Sequence, residues 1–136
     1  GKCGELEGDN IVITPHYGEF RRLTGTSLGD RIKDAMYFND KGITSVLKGA
    51  STITSHKNSF TVNGTGNPGM AVCGSGDVLC GIIAAFAARM SLYDAARYGV
   101  WVHGLSGDKA KELYGEEAMI SGDLINMLPK ILKIDR

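Results

Sequence analysis

Hydrophobic and polar positions alternate along this chain in a way that predicts strands first and helices later. Ile11–Thr14 is a short run rich in β-branched side chains, closed by Pro15, which cannot donate to a ladder. It predicts a buried strand running into a loop. Glu19–Leu23 predicts a helical turn stopped by Gly25. Ser27 stands where it would cap a second helix reaching about Lys41, with Gly42 at the closing position. Ser45–Leu47 predicts a short strand, and Ser51–Ser55 and Ser59–Val62 two more, joined as a hairpin through His56-Lys57-Asn58. Asn63–Gly76 carries Gly64, Gly66, Gly69, Gly74 and Gly76 and predicts a loop. From Asp77 onward the spacing turns helical, with Val78, Leu79, Ile82, Ile83 and Phe86 three and four residues apart. Ser91 predicts the cap of a helix over about Leu92–Leu113. Ser121 predicts the cap of a last one, with Leu124, Ile125, Leu128, Ile131 and Leu132 on one face and a kink at Pro129.

This succession is an α/β arrangement within a single domain. Four strand candidates are few for the helices that accompany them, so the chain reads as part of a larger sheet whose first half is missing. Such a parallel sheet would keep an unpaired edge, which predicts a partner: a homo-oligomer, or a chain that supplies the N-terminal half.

Composition narrows the function. Hydrophobic residues make up 43 % and charged residues 22 %, as in an ordinary globular protein. Fifteen basic residues balance fifteen acidic ones, which speaks against a nucleic acid or an anionic membrane as partner. No apolar run is long enough to span a bilayer, and GKCGELEGDN lacks the apolar centre of a signal peptide. Cys3, Cys73 and Cys80 form neither a disulfide framework nor a zinc spacing. Reduced thiols in a cytoplasmic protein are the expectation, with Cys73 and Cys80 as packing residues and Met36, Met70 and Met119 as core or loop fillers.

Glycine, at 19 of 136 residues, is about twice as frequent as usual, and NGTGNPGMAVCGSGDVLCG concentrates it. Glycines let backbone N–H groups approach a bulky anion. A helix starting at Gly76-Asp77 leaves its first N–H groups unpaired, with the positive end of its dipole towards the loop. Together these make a phosphate site, of neither Walker A nor dinucleotide-fingerprint type. Asp77 has two readings here. It suits a general base for a hydroxyl nucleophile beside a transferring phosphoryl group; it equally suits an ordinary first-turn acid.

The stretch TGNPGMAVCGSGDVLCGIIAA resembles the signature of the ADP- or ATP-dependent NAD(P)H-hydrate dehydratases, a branch of the ribokinase-like superfamily. ITPHYGEFRRL at 13–23, VLKGASTIT at 46–54 and GVWVHGLSGDKA at 99–110 match in the same order, and SGDLINMLPKIL resembles the family's last helix. The resemblance implies the C-terminal portion of a ribokinase-like three-layer α/β/α sandwich. It also implies dehydration of hydrated NADH or NADPH: ADP or ATP, with Mg²⁺, phosphorylates the C6 hydroxyl, and phosphate is then lost. On the matching positions, Asp77 would take the hydroxyl proton and Gly74, Ser75 and Gly76 would form the anion hole. His16 would lie against the hydrated dinucleotide, and Lys48, Gly49, Ala50, Ser51 and Thr52 would bind the nucleotide.

Read from the residues alone, His16 is also a loop histidine bonded to nearby backbone, Glu19 a first-turn acid, and Lys48 a solvated strand end. His103 and Asp108 read as a packed, hydrogen-bonded histidine and a helix acid, while Gly99, Gly104 and Gly107 predict close packing of their helix. Tyr17 stands where the family often has Pro. The family's domain is about twice as long as this chain. Two other functions share parts of the pattern: a ribokinase-like kinase of a sugar or vitamin alcohol, and a non-catalytic nucleotide-binding or assembly module.

Overall fold

A computed structural model describes residues 6–133; Cys3 lies outside them. Four strands form one sheet in sequence order: β1 (Val12–Ile13), β2 (Thr44–Leu47), β3 (Ile53–His56) and β4 (Ser59–Val62). β1 and β2 run parallel, in register Val12 to Thr44, and the other two pairings are antiparallel. The sheet is therefore mixed, not parallel as expected, because only the first crossover carries helices. β1 pairs on one side only. Beyond its end, a parallel bridge between His16 and Lys48 prolongs the pairing, with the Lys48 N–H on the Pro15 carbonyl at 2.8 Å.

Period-two alternation sorts the side chains onto two faces. On one face, Ile13, Leu47 and Ile53 pack with Phe20, Ala35 and Phe38, under α1 (Tyr17–Thr24), α2 (Arg31–Ala35) and a 3₁₀ segment, Met36–Lys41. On the other, Val12 and Val46 meet Leu79 and Ile83 of α3 (Ser75–Ala87) and Ala96 and Val100 of α4 (Leu92–Tyr114). The result is three layers, α/β/α. A further cluster of Ala110, Met119, Leu124 and Met127 fastens α5 (Ser121–Ile131) to α4.

Local chemistry explains most element ends. Gly25 and Gly42 adopt φ of 69° and 75°, the left-handed closure that glycine takes without a Cβ penalty. The helix expected over 27–41 is broken into a loop, α2 and the 3₁₀ segment. Asp30 caps α2 instead of Ser27, its carboxylate accepting from the Ile32 and Lys33 N–H groups. Ser27 and Tyr17 serve another purpose. Their hydroxyls and the Leu28 N–H surround the fully buried Asp34 carboxylate, at 3.3, 2.8 and 2.8 Å. A buried carboxylate requires such partners, which gives Tyr17 a structural task.

The hairpin is tighter than expected: His56 belongs to β3, leaving a two-residue turn in which Lys57 takes φ 50°. Ser91 caps α4 as expected, accepting from the Asp94 N–H at 3.1 Å. Ser121 is inside α5 instead of capping it; Asp123 accepts from the Ile120 N–H at 2.9 Å. The buried face of α5 is Leu124 and Met127, while Ile125 and Leu132 are exposed. Pro129 does not break the helix, which runs two residues further; the carbonyl it leaves unpaired, four residues back, belongs to the exposed Ile125. Cys73 and Cys80 are exposed and are not the packing residues expected. Met119 is a core residue, 2 % exposed.

Candidate active site

A cavity of about 770 Å³ opens where β1 and β2 end and α3 begins. Its wall combines His16, the loop from Lys48 to Thr52, the glycine-rich segment from Asn63 to Val72, Ser75 and Gly76 of α3, and His103 and Gly104 of α4; Leu79 and Val100 provide apolar floor. Eight of the ten residues named from sequence thus meet at one cavity: His16, Lys48, Gly49, Ala50, Ser51, Thr52, Ser75 and Gly76. Gly74 and Asp77 are not part of the wall. Gly74 takes φ 85°, where a Cβ would come within 2.9 Å of Ser121 Oγ, so it turns the chain into α3 against α5. Asp77, in the first turn of α3, is exposed.

His16 caps α1. Its Nδ1 accepts from the Glu19 N–H at 3.2 Å, while Glu19 Oε2 accepts from the His16 N–H at 2.7 Å, a reciprocal capping box. With Nδ1 an acceptor, the ring hydrogen is on Nε2. Glu19 also reaches Lys48, Oε2 to Nζ 3.7 Å. The backbone hydrogen bond from His16, helped by the nearby Lys48, His16 and Arg22 side chains, outweighs partial burial and holds the Glu19 carboxyl below its usual range. Glu19 is thus both a first-turn acid and a tie between His16 and Lys48.

Lys48 bends over the start of α3: a Cβ placed on Gly76 would lie 3.2 Å from its Nζ. An ammonium and a helix N-terminus, both positive, therefore converge on one end of the cavity. The Gly76 and Asp77 N–H groups stand in the first turn, where a helix has no internal acceptor. Such an end has the chemistry that suits an anion, and the apolar walls opposite suit an uncharged ring system.

The loops around it are braced. Gly49 takes φ 149° and Ser51 φ 56°; the Arg31 guanidinium donates to the Ala50 carbonyl, and Thr52 Oγ1 donates to the Gly49 carbonyl at 3.1 Å. On the other side, Asp108 accepts from the Gly66 N–H at 2.9 Å and from Asn67 Nδ2 at 3.0 Å. Thr65 Oγ1 donates to the Trp101 carbonyl at 3.0 Å. The close packing expected of α4 is present: a Cβ would meet Ile83 Cγ1 at 2.8 Å from Gly99, Thr65 Oγ1 at 2.0 Å from Gly104 and Met70 Sδ at 2.1 Å from Gly107. Asp108, Gly104 and Gly107 seat the loop on α4, while Gly99 lets α3 approach it, roles that only the fold reveals.

His103 is packed and hydrogen-bonded as expected, but it also belongs to the cavity wall. Its Nε2 lies 3.0 Å from the Ser75 carbonyl oxygen and 3.3 Å from Ser75 Oγ. Burial, against the opposing pull of the Ser75 carbonyl and with a further push from Lys48, brings its pKa down from 6.5 to about 4. The imidazole is therefore neutral near pH 7, with its hydrogen on Nε2, since a carbonyl only accepts.

A three-layer α/β fold with a glycine-rich loop running into a helix start at the ends of its first strands defines the structural class of the protein. The comparisons give the family. The sequence profile of the NAD(P)H-hydrate dehydratases matches residues 5–130, and the chain belongs to that family. It is 42 % identical, over 94 % of its length, to the bifunctional NAD(P)H-hydrate repair enzyme Nnr of Moorella thermoacetica, of which it covers 26 %. It is 37 % identical, over 96 % of its length, to the ADP-dependent (S)-NAD(P)H-hydrate dehydratase of Cenarchaeum symbiosum, of which it covers 47 %. The crystal structure of the ADP/ATP-dependent NAD(P)H-hydrate dehydratase from Bacillus subtilis, co-crystallised with ATP/Mg²⁺, superposes with a TM-score of 0.79 at 27 % identity, covering 90 % of this chain and 47 % of that one. These likenesses bear out the ribokinase-like fold. The chain spans about a quarter to a half of the relatives it matches.

Proposed function

We propose that this chain forms the nucleotide-binding and proton-accepting side of a nucleotide-dependent dehydratase acting on hydrated NADH or NADPH. The observation that carries the reading is the convergence of Lys48, the Gly49–Thr52 loop and the start of α3 on one cavity. A nucleotide's phosphates suit the positive end, held by Lys48, Ser75 Oγ and the first N–H groups of α3, with the base against the apolar walls. ADP suits the name of the archaeal relative and ATP that of the Bacillus crystal.

The reaction transfers a phosphoryl group to the C6 hydroxyl of the hydrated ring. Asp77 takes the hydroxyl proton as the oxygen attacks the terminal phosphorus, and AMP or ADP leaves; the ring's nitrogen lone pair then expels phosphate, and loss of the C5 proton to the departing phosphate or to solvent restores the dihydropyridine double bond. Asp77 follows Gly76 of the cavity wall in sequence, and its exposure leaves it open to a substrate arriving from outside this chain's own wall. His16, half-exposed at the rim, offers its Nε2 hydrogen to that substrate. Among the described residues no three His, Cys, Asp or Glu side chains gather as a metal cage. Mg²⁺ therefore suits this chain only as a companion of the nucleotide phosphates.

The substrate's far side needs walls that this chain does not supply. The single-sided pairing of β1 among the described strands and the exposed small residues Cys80, Gly81, Ala84 and Ala85 of α3 suit completion of sheet and pocket by the remainder of the domain or another chain. No helix among the described residues is long and apolar enough to cross a membrane, and we place the reaction in the cytoplasm with its cofactor substrates. The test is incubation of the chain, together with the remainder of the domain, with hydrated NADH, Mg²⁺ and ADP or ATP, following the return of dihydropyridine absorbance. Recovery that requires nucleotide is expected, with Asp77→Asn slower by about 10²–10⁴-fold. A stable phosphorylated sugar or vitamin alcohol, with no recovery of NADH, would overturn the reading in favour of a kinase.

A further inference from the structure

We propose that His103 is a positioning residue that holds the start of α3 in its anion-binding geometry by an uncharged hydrogen bond to Ser75. The proposal rests on the nucleotide site argued above. His103 lies mid-way along α4, and its Nε2 reaches across to the first residue of α3, 3.0 Å from the Ser75 carbonyl and 3.3 Å from its hydroxyl oxygen. Ser75 is 7 % exposed and lines the cavity. The bond thus connects the longest helix of the fold to the single turn that meets the phosphates.

The tautomer adds a second consequence. Because Nε2 carries the hydrogen, it cannot accept the Ser75 hydroxyl hydrogen, which is left for an oxygen inside the cavity. The charge state matters as well. Lys48 is the charged group that acts on His103 across the cavity, and an imidazolium beside it would shift the positive end of the cavity away from the first turn of α3. Burial keeps the ring neutral, so His103 adds no further cation beside Lys48. Gly104, next in sequence, seats the Asn63–Met70 loop against α4, so α4 aligns both lips of the cavity at one level.

The test uses the full chain. Nitrogen NMR of the imidazole at neutral pH is expected to show His103 neutral and protonated on Nε2; protonation on Nδ1 instead would overturn the proposal. His103→Leu keeps the volume and removes the donor, whereas His103→Gln restores a donor without a titrating ring. Amide exchange at Val78 and Leu79, the first amides of α3 bonded back to its start, is expected to accelerate about tenfold in the Leu variant and to recover in the Gln variant. Mg-ADP affinity should follow the same order, weakened about tenfold and then mostly restored. Equal exchange in wild type and Leu variant would overturn the proposal. Absence of Mg-ADP binding by the wild type would overturn the nucleotide-site reading alone, because the tautomer and the exchange rates decide the role of His103 without any nucleotide.

Discussion

Gly104→Ala places two physical effects in opposition. Within a helix, Ala is favoured over Gly by about 1 kcal/mol, so propensity alone predicts a more stable protein. The fold predicts the reverse. The new Cβ would lie 2.7 Å from the Thr65 carbonyl carbon and 2.8 Å from its Cβ, where carbon atoms rest at about 3.5–4.0 Å. Because one of these atoms is backbone, rotating a side chain cannot relieve the overlap; the loop must move by roughly 1 Å. Overpacking of this kind costs about 1–3 kcal/mol. The Thr65 hydroxyl also loses its 3.0 Å bond to the Trp101 carbonyl, worth about 1 kcal/mol. After the propensity gain, a net loss of about 1–3 kcal/mol remains. Circular dichroism should show it as a Tm lower by roughly 4–10 °C. Gly81→Ala is the control: no atom lies within 4 Å of its added Cβ, and the variant should gain up to about 1 kcal/mol. A Gly104→Ala protein as stable as the wild type would refute the close seating of the loop on α4.

Acid sensitivity should follow from His103. Its folded pKa of about 4 lies below the ordinary 6.5, so between those values the unfolded chain binds the extra proton and stability rises with pH. Acidification from pH 6.5 to 4 should therefore cost roughly 3 kcal/mol through this group, and urea denaturation of His103→Gln should show a shallower loss over the same range. Asp108→Ala should free the Gly66 N–H and Asn67 amide, costing about 1–3 kcal/mol; faster amide exchange at Gly66 checks it.

Strong local signals located most of the elements. The helical spacing after Asp77, the Ser91 cap and the closures at Gly25 and Gly42 all depend on neighbours within a few residues, and they stand in the structure. The split of 27–41 was hidden because Ser27 is a plausible cap on local grounds, and its engagement with Asp34 depends on the Tyr17 hydroxyl arriving from another element. The mixed sheet and the exposed Ile125 depend on packing partners far away in the chain. In the site, the glycine-rich segment was legible from its chemistry, whereas Lys48, a solvated strand end on residue grounds, was pointed to only by the family motif; both line the cavity. The bracing by Asp108 and the His103–Ser75 bond were not, since no spacing rule relates residues 42 or 28 positions apart. A histidine among helix glycines was the available signal, and only the fold converts it into a contact.

The most direct test of the central claim is the pattern of backbone amide shifts as Mg-ADP is titrated into the chain. The largest changes are expected at Gly49–Thr52, along Asn63–Met70 and at Ser75–Asp77, around the cavity that Lys48 closes at its positive end. Changes confined instead to Arg21, Arg22 and Gly25–Ser27, which line a separate basic depression, would contradict it.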